Sequence, residues 1–334
     1  MHRIQVGKMF MDGWRMVRMD RRRFLAGSLA GYAVAFSGMA MRARAEATRW
    51  KTGLGLNGFM SSADAYGKSY PIWEILDFAA NAGFDGIELV DGWPMGGYPP
   101  PDAPERIAAL KTLYDRYGLR IYTIQTFGAD AYAADASARR EWIRQFADYV
   151  RLAKQLGCSF VGHWPGGDLR GQPDVDHAIE ALSGSYREAA GIAAEAGLYL
   201  SFEIEPPFLF NTPDHLQRIL AGADHPACKT NYDPSHFDCM TGSRGKPEEM
   251  LRIVGVKHIG HVHLTDTDGS IYRGTSKHLA CGDGHCDIQA SLKTLWDGGY
   301  TGWIMIDAWM IEDVYRAARM GIQAIDTAQR ALSG

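Results

Sequence analysis

The chain is predicted to form one (β/α)8 barrel, on three observations. From Trp50 onward, short apolar, β-prone runs alternate with longer helical patterns, the signature of repeated βα units on a parallel sheet. Eight such strands can be counted, and 334 residues suit one barrel of this kind. Polar residues gather where the strands stop: Asn57, Asp91, Gln125, His163, Glu205, Asp233 with His236, His263 with Asp266, and Asp307. In a barrel those ends share one face, where active sites are built.

In order, the strands are read at 52–58, 86–90, 120–126, 159–163, 199–205, 229–233, 258–264 and 303–307. Helices are read between them at 72–82, 105–117, 138–156, 176–196, 212–221, 246–253 and 288–298, with a last helix at 312–332. Several helices end in a glycine step, as at Ala82-Gly83-Phe84, Leu156-Gly157-Cys158 and Ala196-Gly197-Leu198. Glycine there supplies the left-handed cap before the next strand.

Ahead of the barrel, Asp20-Arg21-Arg22-Arg23-Phe24-Leu25 runs into the apolar stretch 26–41 and then Ala43-Arg44-Ala45, the pattern of an export signal cleaved after Ala45. Paired arginines before Phe-Leu resemble the twin-arginine type, which carries folded proteins out of the bacterial cytoplasm. The expected organisation is therefore a signal peptide at 1–45 and a barrel domain at 46–334, in the periplasm or outside the cell. No membrane association is expected after cleavage, and the sequence leaves open whether identical chains assemble.

Residues 1–45 hold nine Lys/Arg against two Asp, so their removal leaves 26 basic against 37 acidic residues, about −11. A surface so acidic repels phosphate backbones, and nucleic acid is excluded as a partner. Five cysteines, 158, 228, 239, 281 and 286, form no zinc-type Cys-x-x-Cys pair. Cys281 and Cys286 are close enough in sequence to bridge, but loop thiols are the expectation in a protein folded before export.

The chemistry follows from side-chain alternation. In the fifth strand Leu200, Phe202 and Ile204 alternate with Ser201, Glu203 and Glu205, so the carboxylates share the inward face. Glu205 is placed at the mouth, and Glu203, one rung lower, is read as paired with Lys229. The sixth strand turns Asn231 and Asp233 inward, and Pro234-Ser235-His236 leaves His236 beside the carboxylate. The seventh turns in His261 and His263, with His261 as a supporting histidine. The eighth turns in Trp303, Met305 and Asp307. Glu205, Asp233, His263 and Asp307 thus form one arc of three carboxylates and an imidazole. Such a set suits one divalent ion, Mn²⁺ or Mg²⁺ ahead of Co²⁺ or Zn²⁺, with two positions left for water or substrate oxygens. His163 and His236 are assigned to substrate binding. Trp93, Trp164 and Trp309, just beyond strand ends, are placed to stack on a sugar ring. Arg273, in the loop after the seventh strand, is placed to meet a hydroxyl, carboxylate or phosphate.

Four motifs carry a family resemblance: Phe202-Glu203-Ile204-Glu205-Pro206, Asn231-Tyr232-Asp233-Pro234-Ser235-His236, His261-Val262-His263-Leu264-Thr265-Asp266 and Gly302-Trp303-Ile304-Met305-Ile306-Asp307. From about Trp50 to the C-terminus the chain resembles the xylose-isomerase-like TIM-barrel superfamily of sugar isomerases, epimerases and inosose dehydratases. The resemblance implies that Glu205, Asp233, His263 and Asp307 bind the metal, that Glu205 and Asp307 exchange the proton, and that His236 contacts the substrate. It departs at Asp307, where the ketose epimerases have Glu, and at Asn211, which stands about where they have a substrate-binding carboxylate. The endonuclease IV branch, with its trinuclear zinc cluster and basic groove, does not match.

The expected activity is metal-dependent isomerisation or epimerisation of a carbohydrate by proton abstraction next to a carbonyl, with Glu205 as the preferred base. A lyase or dehydratase acting on an inosose or 3-keto-glycoside is the first alternative. An exported sugar-binding barrel without chemistry is the second.

Overall fold

The first barrel strand opens the region described by the computed structural model, residues 50–333 without Met95 and residues 241–244. The expected signal segment, 1–45, lies outside the described residues. The strands are β1 (Lys51–Gly55), β2 (Gly86–Val90), β3 (Arg120–Phe127), β4 (Phe160–Trp164), β5 (Tyr199–Phe202), β6 (Cys228–Tyr232), β7 (Ile259–Leu264), the short β8 (Ile271–Tyr272) and β9 (Thr275–Ser276), and β10 (Trp303–Ile306). Eight of them close a barrel in the order β1-β10-β7-β6-β5-β4-β3-β2, all pairings parallel. β8 and β9 form an antiparallel hairpin in the connection after β7.

Outside the sheet lie α1 (Leu56–Tyr66), α2 (Ile72–Ala82), α3 (Pro104–Asp115), α4 (Ala136–Leu156), α5 (Val175–Glu195), α6 (Pro213–Ala223), α7 (Pro234–Cys239), α8 (Pro247–Val254), α9 (Ile288–Asp297) and α10 (Val314–Leu332). Six of the ten starts are capped by side chains, as at Asp135, Asp174, Thr212 and Asp287, each accepting a bond from a first-turn N–H. Gly83 and Gly157 take left-handed φ of 87° and 81° at the ends of α2 and α4, as the sequence implied. Among the described residues no helix is long and apolar enough to cross a membrane, and all five cysteines are free.

The barrel interior is layered. Its floor is an aromatic plug of Tyr122, Phe160 and Trp303 with Met305, packed apart from the main core between sheet and helices. Tyr122 and Trp303 stack with centroids 4.1 Å apart. Gly53 makes the room, since a Cβ there would lie 2.6 Å from the Tyr122 hydroxyl. His261 rests on this floor, 4.6 Å from the Phe160 ring.

Two segments read as a strand end and a turn are helical instead. β1 stops at Gly55, and α1 begins at once with Leu56 and Phe59 buried, so Asn57 sits in a helical first turn rather than at a strand end. The turn read after β6 is a helix, α7, because Asp233 caps it and Pro234 occupies its first position.

Candidate metal centre

Two inward acids at the mouth, Asp233 and Asp307, each spend one oxygen on the fold and turn the other toward neighbouring ring nitrogens. Asp233 Oδ1 caps α7 by accepting from the Ser235 N–H at 2.7 Å, while Asp233 Oδ2 is buried with no hydrogen-bond partner. Asp307 Oδ1 accepts from Asn57 Nδ2 at 3.1 Å and from the Trp309 N–H at 2.9 Å. Its Oδ2 faces His263 and His278.

Asn231 ties the next pair together. Its amide donates to Glu203 Oε1, and its Oδ1 accepts from the His263 N–H at 3.1 Å. Glu203 is held again by its own N–H, which donates to the His163 carbonyl at 3.0 Å. The His263 ring is steered from below: its Nε2 lies 3.1 Å from Glu88 Oε1 and 3.0 Å from His261 Nε2. This leaves His263 Nδ1 buried, aimed up, and without a hydrogen-bond partner.

Six side-chain atoms follow one another round the mouth. Glu203 Oε1 is 3.2 Å from His263 Nδ1, which is 3.5 Å from Asp307 Oδ2. Asp307 Oδ2 is 3.7 Å from His278 Nε2, which is 3.6 Å from Asp233 Oδ2. Asp233 Oδ2 is 3.8 Å from His236 Nε2, which closes the circle at 3.6 Å from Glu203 Oε1. Two ligands on one octahedral ion with bonds of ~2.1 Å lie ~3 Å apart when adjacent and ~4 Å when opposite. The six separations, 3.2 to 3.8 Å, fall between these values, and a cation accounts for two buried polar atoms that otherwise have no partner. The residues fit a divalent ion.

The electrostatics agree. Burial alone would raise the Asp233 carboxyl, but the His236, His278 and His263 rings hold it well below the carboxylate range. Burial would lower His263 and is overcome by the Glu88 and Glu203 carboxylates, which hold it well above an ordinary imidazole. His278 is raised likewise, against burial, by Asp233 and Asp307. The site draws positive charge to its centre, as protons when no cation is bound.

Above the ring opens a pocket of about 330 Å³, lined by Asn57, Gln125, Glu203, Glu205, His236, His263, Arg273, Thr275, His278 and Asp307 among polar residues and by Phe127, Trp164, Phe208 and Trp309 among aromatics. Of the expected residues, Asp233, His263 and Asp307 meet at the ring, and His236, Trp164, Trp309 and Arg273 reach the ring or pocket.

Four expectations are corrected. Glu205 joins no cluster of ligand atoms among the described residues; Glu203 does, with Asp233 and His263. β5 ends at Phe202, so the inward rung at the mouth is Glu203, and Glu205 lies beyond it in the pocket wall. Glu203 therefore faces His263 and His236, whereas Lys229 donates to the Lys257 carbonyl at 2.8 Å. His163 does not reach the pocket. Phe160 points into the barrel, so by the period of two His163 points out, where its Nε2 accepts from Trp142 Nε1 at 3.1 Å and its Nδ1 meets the Tyr186 hydroxyl at 2.8 Å. Trp93 is likewise absent from the pocket lining, and Asn211 donates to the Phe208 carbonyl at 2.7 Å.

Two residues of the centre were not anticipated, Glu88 beneath the ring and His278 within it. Glu88, inward on β2 and fully buried, was legible as the one acid in a strand otherwise apolar, Gly86-Ile87-Glu88-Leu89-Val90. His278 carried no periodic signal, because it arrives on the loop after β9.

A family model described as xylose isomerase-like TIM barrel matches residues 76–326. An inosose dehydratase of Erwinia tasmaniensis is 27% identical over 269 residues, covering 72% of this chain and 84% of that one. Among solved structures, the IolI protein with a bound zinc atom superposes with a TM-score of 0.65 at 17% identity, over 84% of this chain and 97% of that one. The 3-keto-D-glucoside 4-epimerase YcjR of E. coli superposes with a TM-score of 0.63 at 18% identity, over 84% and 100%. At these identities the structural likeness speaks for the fold.

Proposed function

Because the chain belongs to the xylose isomerase-like TIM-barrel family, we propose that it is a divalent-metal-dependent isomerase or epimerase that removes a proton next to a carbonyl of a sugar or keto-sugar. The observation that carries this reading is the pair of buried, partnerless atoms, Asp233 Oδ2 and His263 Nδ1, facing a common point beneath an open pocket. Glu203, Asp233, His263 and Asp307 would hold the ion, Mn²⁺ or Mg²⁺ on the count of oxygen donors; the zinc in IolI makes Zn²⁺ the alternative. When bound, the ion polarises the substrate carbonyl and offsets the negative charge that develops as the neighbouring C–H ionises.

In this proposal the two roles first given to Glu205 are divided. Glu203 is the ligand and Glu205 the base. Burial pushes the Glu205 carboxyl up, with His236 opposing, and a raised carboxyl is the better proton acceptor. His236 is oriented by Ser276 Oγ, 2.7 Å from its Nδ1, and presents Nε2 to the pocket floor, where it meets a substrate hydroxyl. Trp164, Trp309 and Phe208 form the walls that receive the apolar face of a ring and exclude water, and Arg273 meets a polar group at the rim.

Asp307 favours a second reading. With Oδ1 tied to Asn57 and the Trp309 N–H, it is a fixed ligand rather than a mobile base, so a single base serves the site. Elimination of water needs no second base on the opposite face, and the inosose dehydratase relative supports that reaction. A keto-sugar screen in D₂O separates the readings: an isomer or epimer keeps its mass apart from deuterium, while a dehydratase product is lighter by one water. Exchange that requires added Mn²⁺ and is abolished by Glu205→Gln supports the proposal; full activity in metal-stripped protein refutes it. Tight sugar binding without turnover would instead favour a binding barrel.

Export belongs to the same proposal. The motif Arg21-Arg22-Arg23-Phe24-Leu25 supports passage through the twin-arginine machinery to the periplasm or beyond, where free sugars, keto-sugars or glycosides are the natural substrates. Fractionation of cells tests it: replacing Arg21 and Arg22 by Lys retains the chain in the cytoplasm.

A further inference from the structure

We infer that His278 is a ligand of the metal, delivered to the centre by the loop that follows the β8–β9 hairpin; the inference rests on the metal reading above. The imidazole tautomer is set by geometry. His278 Nδ1 lies 2.8 Å from the Ser276 carbonyl oxygen, and a carbonyl only accepts, so Nδ1 carries a hydrogen and Nε2 is the nitrogen that can exchange its proton for a metal. A histidine whose far nitrogen donates to a backbone carbonyl is oriented as metal-bound histidines are.

Nε2 stands between two carboxylate oxygens, 3.6 Å from Asp233 Oδ2 and 3.7 Å from Asp307 Oδ2. Both separations are too long for a hydrogen bond and fall within the span of two ligands sharing one ion. The side chain is 2% exposed and lines the floor of the pocket. Asp233 Oδ2, the atom it faces, has no hydrogen-bond partner.

The loop is built to hold this position. Asp266, fully buried, exchanges backbone hydrogen bonds with Leu279 at 3.0 and 2.8 Å, pinning the residue next to His278. Its carboxylate accepts from the N–H groups of Thr267, Gly282, Gly284 and Cys286. On the other side, Ser276 Oγ contacts both Ser235 Oγ at 2.9 Å and His236 Nδ1 at 2.7 Å. A histidine fixed at both ends of its segment is preorganised for a centre on its axis.

The test is Mn²⁺ binding to chelator-stripped protein, followed by titration for affinity and by pulsed electron paramagnetic resonance for directly bound ¹⁴N. The parent protein should show one more bound nitrogen than His278→Gln, and the substitution should weaken Mn²⁺ binding at least about tenfold. His278→Asn serves as a second variant, because its amide can still donate to the Ser276 carbonyl and preserve the loop. Unchanged nitrogen count and affinity in either folded variant, or a single bound nitrogen in the parent, overturns the inference. Absence of any Mn²⁺ binding by the parent overturns the metal reading itself, which is a different result.

Discussion

Glu203 Oε1 lies 3.2 Å from His263 Nδ1, with Asn231 holding both residues by its two amide atoms. In the proposed site this relationship assigns Glu203 rather than Glu205 to the metal, and it separates two substitutions of equal conservatism. Glu203→Gln should lower metal affinity by about tenfold or more. Glu205→Gln should leave metal content intact and reduce substrate proton exchange by about 10²–10⁴-fold. Metal content by mass spectrometry and exchange by proton NMR on the same preparations check both halves.

Asn231 is predicted to be a positioning residue. Asn231→Ala removes the donor to Glu203 Oε1 and the acceptor for the His263 N–H, both buried, and should cost about 1–3 kcal/mol of stability. Metal affinity should fall about 10–100-fold, as for other groups that orient ligands. Denaturant unfolding of the metal-free protein measures the first effect apart from the second.

His163 gives a pH prediction. Its Nε2 accepts from Trp142 and its Nδ1 donates to Tyr186, so the buried ring is neutral, and burial holds its pKa down at about 3. The unfolded chain, titrating near 6.5, then binds more protons than the folded one between those values. Stability is full above about 6.5 and declines as pH falls toward 3. His163→Gln keeps an acceptor and a donor without the titration, so its stability should decline less steeply over that window. Parallel unfolding curves from pH 7 to pH 4 make the comparison.

Trp164 offers a milder change. Trp164→Ala removes a pocket wall without touching the ring of ligand atoms, so it should raise KM about fivefold or more, as the loss of ~1 kcal/mol of aromatic contact implies. Metal affinity should not move.

The barrel was legible because apolar and polar residues alternate along each strand, and Asp233, His263 and Asp307 stand on inward rungs within one residue of the observed strand ends. The period of two says which face a residue takes but not how high it stands. Glu203 and Glu205 share a face, and only the end of β5 at Phe202 sets Glu203 level with His263. For His163 a place at the strand end says nothing of the face, and Phe160, an aromatic of the barrel floor, is what fixes it. His278 was beyond reach of any periodic argument: it is brought in by Asp266 pairing with Leu279 across a loop, a tertiary contact with no repeat in the sequence.

The most direct test of the central claim is Mn²⁺ titration of chelator-stripped protein, with Asp233→Asn in parallel. The account predicts one tightly bound ion per chain in the parent and a loss of affinity of about tenfold or more in the variant, since Asp233 Oδ2 is the buried oxygen left without a partner. No bound ion in the parent, or equal affinity in the two proteins, would contradict it.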